Sequence, residues 1–151
     1  LSLKAYILRK QGKEDEAKET IHAIQQIDPL DYWSAAESSL LTTGDASFLK
    51  ASQKYRNDGI IAVQELLEVV NNYMILGATE DAIILLNDAI AAGEPYASYP
   101  LVYYYKGYNL LKQNNKAEAL FCLNQAGMLS PLNNYPLRLE EIELFNEILK
   151  E

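Results

Sequence analysis

Residues 103–131 read YYYKGYNLLKQNNKAEALFCLNQAGMLSP, from Tyr103 to Pro131. Large side chains stand at Tyr103 and Leu110, with the small Gly107 between them. A polar stretch, Gln113 to Lys116, follows. Ala119, Leu123 and Ala126 then recur at helical spacing, and Pro131 closes the run. This order predicts two antiparallel helices joined by a short turn. Gly107 and Ala119 are small where the helices come closest, and Tyr103, Leu110 and Leu123 fill the space beside that contact. Asn114-Asn115 suits the turn because Asn tolerates left-handed backbone angles. Pro131 lacks the donor that a further helical turn needs.

The same order returns at the start of the chain. Ala5 and Leu8 take the places of Gly107 and Leu110, Gly12-Lys13 takes the turn, and Ala17, Ile21, Ile24 and Pro29 follow. Matched residues are 102 apart (119 − 17 and 131 − 29), three times 34. Leu66, Val70, Tyr73, Gly77, Ala82, Leu86 and Ala89 form another copy. It lies out of phase, with Ala82 65 after Ala17 and 37 before Ala119. The preceding unit is therefore about three residues short, and the turn-rich Gly93 to Tyr99 holds an insertion. In the short unit, Asp31 is placed to cap a helix through Trp33, Ala36, Leu40 and Leu41 that ends near Gly44. Asp45 is placed to cap a second helix with Phe48, Leu49, Ala51, Ser52 and Tyr55. Asp58 is placed to cap the long helix Ile60 to Leu76.

The spacing resembles the tetratricopeptide repeat, written W-x2-L-G-x2-Y, A-x3-F, P, with a period of 34. The first-helix leucine is replaced by Lys106 in the quoted copy. The resemblance implies an all-α, right-handed solenoid of antiparallel hairpins. Its expected units are about 1–31, 32–62 (degenerate), 63–99 and 100–133 of a single repeat domain. Leu139, Ile142, Leu144, Phe145, Ile148 and Leu149 recur at helical spacing and make 137–151 a capping helix over the last open face. Its glutamates, Glu140 to Glu143 among them, read as a solvated face. The expected total is nine helices and no strands. The chain starts in mid-pattern, which reads as a piece of a longer protein.

Composition narrows the function. At 49% hydrophobic and 23% charged the chain belongs with globular proteins rather than disordered ones. No apolar run approaches the roughly 20 residues of a membrane span. A formal charge of −8 with scattered Lys and Arg argues against binding nucleic acid. Cys122 is the single cysteine, so an internal disulfide and a thiol metal site are excluded. His22, the single histidine, stands one step off the core line with no nucleophile partner in view. No phosphate loop and no histidine pair is present. Neither a catalytic residue nor a cofactor is expected, and the carboxylates of Glu14 to Glu16 read as a helix first turn.

Six of the eleven tyrosines lie between Tyr96 and Tyr108. In the resembled family the first helices line a concave groove. That implies a partner-binding strip of Leu101, Tyr104, Tyr108, Leu111 and Lys112. Its counterparts are Gln64, Leu67, Asn71, Met74 and Ile75, and then Tyr6, Arg9 and Lys10. Tyrosine suits such a strip, offering a large contact area with a polar end. The alternative is packing against the next helix or a further part of the parent chain. The lysine used by the repeats that grip chaperone tails is missing: the matching pairs are Ser2 and Tyr6, Leu67 and Asn71, Tyr104 and Tyr108.

Short runs around Asp28 to Trp33, Tyr99 to Gly107 and Pro136 to Ile142 are similar to the repeat region of large bacterial proteins that carry an uncharacterised, sugar-associated β-sandwich domain upstream. The two resemblances together imply a non-catalytic scaffold that binds a protein segment or docks a neighbouring domain of its parent. The alternative is an accessory region of a carbohydrate-related protein, with sugar stacking on the tyrosine face.

Overall fold

The computed structural model describes residues 1–44, 59–130, 139–148 and 150. Among these the protein is all-α: eight α-helices and one 3-10 turn, with no strand. The helices are α1 (Ser2–Lys10), α2 (Glu14–Ile27), α3 (Tyr32–Thr42), α4 (Gly59–Ile75), α5 (Thr79–Ala92), α6 (Pro100–Lys112), α7 (Lys116–Met128) and α8 (Leu139–Ile148). The 3-10 turn, Tyr96–Ser98, lies inside the inserted segment. The helix expected after Asp45, the cap at Asp58 and the stop at Pro131 fall outside the described residues.

Two compact units divide the chain, Leu1–Tyr55 and Arg56–Glu151. In the first, α1 packs on α2 and α3 packs on both. Ala5, Ile21 and Ile24 form its core, with Leu41 against them. Asp31 caps α3 by accepting from the Ser34 amide at 2.6 Å. Acidic residues 14–16 open α2, where the helix dipole favours them. One contact in this unit lies beyond the periodic pattern. Arg9 of α1 donates through Nε to Glu37 Oε2 of α3 at 2.7 Å, and its terminal nitrogen reaches Oε1 at 3.3 Å.

In the second unit each of α4, α5 and α6 packs on the helix that follows it. In addition α4 reaches α6, and α6 reaches α8. Leu66, Val70, Tyr73, Ala82, Leu86 and Ala89 are fully buried, as their place in the pattern requires. Each such large side chain contributes about 1.5–3 kcal/mol relative to exposure. At the α6–α7 contact, a Cβ added to Gly107 would lie 2.8 Å from Leu123 Cδ2 and 3.4 Å from the Ala119 carbonyl oxygen. A side chain here would press first on the flexible end of Leu123.

One turn closes three hairpins. The Lys13 amide donates to Leu8 O at 3.0 Å, Ala78 to Tyr73 O at 2.8 Å, and Asn115 to Leu110 O at 2.9 Å. In each case the preceding residue is left-handed: Gly12, Gly77 and Asn114, with φ of 71°, 70° and 60°. This is the six-to-one capping bond of a helix C-terminus. A connection of three residues between packed helices runs them antiparallel. Gly44, with φ of 72°, ends α3 in the same conformation. Of the five described residues with positive φ, these four are spaced by 32, 33 and 37, or 102 in all (114 − 12), and Gly93 lies in the inserted segment. Ala5, Val70 and Gly107 each lie seven residues before their left-handed residue. Seven residues before Gly44 stands Glu37. A buried carboxylate thus stands at the spacing that Ala5, Val70 and Gly107 fill elsewhere.

Candidate functional site

The tyrosine strip lies along α6, which Pro100 opens at its first position, where a missing amide costs nothing. The structure distributes its expected members over three environments. Leu101 and Leu67 are both 0% exposed, and α4 packs on α6. They belong to the core and offer no surface. Leu111 is half-buried and packs with Ile83 against Leu110, Ala119 and Cys122, so it faces the interior of the hairpin. Asn71 and Met74 are half-buried, and Ile75 is exposed.

Tyr104, Tyr108 and Lys112 remain, four residues apart on one face. All three side chains are engaged locally. The Tyr104 ring meets Phe145 of α8 edge to face, with centroids 4.9 Å apart and planes at 72°. Lys112 Nζ stands 5.0 Å from the centre of the Tyr108 ring. It also donates to Glu147 Oε2 of α8 at 2.6 Å. The hydrogen bond to Glu147, followed by one to Tyr108, raises the Lys112 pKa. The same bond lowers that of Glu147. With the two side chains 48% and 44% exposed, the pair is screened and weak. Beneath it, Tyr105 donates to Glu141 Oε1 at 3.1 Å, both groups buried.

Glu141 corrects the reading of Glu140 to Glu143 as a solvated face: it is 0% exposed. The signal was present in the sequence. Glu141, Leu144, Phe145 and Ile148 follow i, i+3, i+4, i+7 spacing, so the carboxylate lies on the apolar face. Arg9 was expected on the groove strip with Tyr6 and Lys10. It instead turns to Glu37 of α3, while its guanidinium also lies 5.7 Å from the Tyr6 ring centre. Tyr99 and Tyr103 support the frame. Gln64 donates to the Tyr99 hydroxyl at 3.2 Å, and Tyr103 donates to the Ala97 carbonyl at 3.1 Å.

The residues weighed for chemistry sit apart from this surface. His22 is exposed on α2. Cys122 is buried, and loss of solvation pushes its thiol pKa up despite the opposing Lys106 charge. Among the described residues no three His, Cys, Asp or Glu side chains group as metal ligands. No described helix is long and apolar enough to cross a membrane. No family model, no curated protein and no solved structure matches the chain.

Proposed function

We propose that the chain is a non-catalytic interaction module, an α-solenoid built from tetratricopeptide-type hairpins, that holds a helical protein segment along the first-helix strip of α6. One observation carries this reading: Tyr104, Tyr108 and Lys112 already work together as a helix seat, with Phe145 and Glu147 of α8 against them. The repeat reading draws its support from the turn shared by three hairpins and from contacts between first helices, α1 with α3, α4 with α6 and α6 with α8. Tyrosine and lysine together suit a segment that brings apolar area and a carboxylate. The engagement of Tyr104 with Phe145 favours a protein segment over a stacked sugar ring.

The test is affinity capture from the source cell with the intact chain, beside a Tyr104→Ala/Tyr108→Ala variant of matched helicity. The expected result is a protein retained by the first and lost by the second. Equal retention by both would remove the strip from the proposal. Capture of nothing by either would remove the module reading.

A further inference from the structure

We infer that α8 is an exchangeable internal ligand of the α6 strip, and that the partner of this site is an acidic amphipathic helix of the pattern Glu-x-x-Leu-Phe-x-Glu. The inference rests on the module reading above and adds the chemistry of the partner and the way the site is regulated. The pattern is that of Glu141, Leu144, Phe145 and Glu147, each of which the structure gives a place. Phe145 meets Tyr104, Glu147 meets Lys112, Glu141 accepts from Tyr105, and Leu144 is buried.

Charge separates the two helices cleanly. α6 contains Lys106, paired with Glu118 of α7, and Lys112, which meets α8, and no acidic residue, whereas α8 contains Glu140, Glu141, Glu143 and Glu147 and no basic one. Such complementarity selects a partner and its register more than it adds strength. The buried carboxylate points the same way. An aliphatic side chain at position 141 would hold a permanent cap more firmly, because a buried carboxyl group gives up its hydration.

Three features make release accessible. The described part of α8 has ten residues, and an isolated helix of that length, below the roughly 12–15 at which one becomes even marginal, melts and gains chain entropy on release. It packs chiefly on α6. Its ion pair with Lys112 is about half exposed. A competing helix of the same pattern, longer and able to retain its helicity, replaces these contacts one for one.

The probe is a fluorescein-labelled peptide with the sequence of residues 139–151, titrated by anisotropy with the full chain. An occupied strip lowers apparent affinity by the fraction of molecules that are open. Leu144→Ala/Phe145→Ala in the chain loosens its own helix and should tighten peptide binding at least about tenfold. Adding Tyr104→Ala and Lys112→Ala should reverse that gain. A loosened chain that binds no better than the wild type overturns the inference, as does a gain that survives loss of Tyr104 and Lys112. Amide exchange on the unmodified chain gives a second measurement that needs no variant. Amides of α8 should exchange about a hundredfold faster than those of α6. Equal protection would make α8 an integral cap and overturn the inference. The two readings fail separately. Lysate capture through Tyr104 and Tyr108 without any peptide gain keeps the module and removes the internal ligand.

Discussion

Replacing Arg9 by Leu is the sharpest test of how the first unit is held. The guanidinium is 12% exposed and Glu37 is 0% exposed, with the closest approach at 2.7 Å. At about 4 Å and an effective dielectric of about 20, two unit charges attract by about 4 kcal/mol. Removing one partner of a buried pair costs about 3–5 kcal/mol, because the other charge stays behind in a site that has lost its counter-ion. An exposed pair would cost about 0.2–1 kcal/mol. The two cases differ enough to be separated by urea unfolding. Trp33 is the only tryptophan and lies on α3, one turn before Glu37, so its fluorescence reports the first unit directly. Arg9→Leu should lower the unfolding free energy by about 3 kcal/mol or more, with little dependence on added salt. Arg9→Leu/Glu37→Leu should recover most of that loss, since an apolar pair of similar volume substitutes well for a buried ion pair. A loss under about 1 kcal/mol for Arg9→Leu, or a double variant no better than the single, would refute the reasoning.

Other outcomes follow from single contacts. Gly107→Val should destabilise by about 1–3 kcal/mol, because its branches meet Leu123 and the Ala119 carbonyl. Gly107→Ala should stay near the wild type in urea, since about 1 kcal/mol of helix propensity offsets pressure on the flexible Leu123 end. Gly77→Ala should cost about 1–2 kcal/mol at its left-handed φ, whereas Asn114→Gly should be neutral or slightly stabilising, both read from thermal unfolding. Lys112→Met should cost less than about 1 kcal/mol and lose its effect in high salt. The sign of its pH dependence follows from both partners. The raised Lys112 value makes its contribution complete below the free lysine pKa of about 10.4 and lost as pH climbs through the folded value. The lowered Glu147 value makes its contribution complete above about 4.3 and lost as pH falls through the folded value. The wild-type advantage over Lys112→Met should therefore span about pH 4.3 to 10.4. Cys122 should react with a thiol reagent at pH 8 at least about a hundredfold more slowly in the folded chain than in urea, since burial both shields it and raises its pKa.

Much of the helical plan was legible because it rests on local rules. Small residues at Ala5, Gly107 and Ala119, large ones at Leu8, Tyr73 and Leu110, and turn formers at Gly12, Gly77 and Asn114 each state a requirement of one helix end or one close contact. The structure meets those requirements residue by residue. The short unit was harder to register because Glu37 stands at the small position, and a charged residue there looks like a surface residue until its partner is known. The same difficulty hid Glu141. The apolar spacing placed it on an inward face, but its acidic neighbours suggested solvent.

The sequence alone thus determined the eight described helices, the turns of three hairpins and the return of one pattern at 102 residues, because periodicity and backbone conformation are properties of short segments. It also placed Tyr104 and Tyr108 on one face of one helix. Tertiary structure decided which of the expected strip residues remain at the surface, sending Leu67 and Leu101 into the core and seating α8 on Tyr104 and Lys112. It also decided which charges are buried in pairs, Arg9 with Glu37 on α3. The reason is physical: burial and ion pairing depend on which distant segment arrives at a face, and no local spacing specifies that.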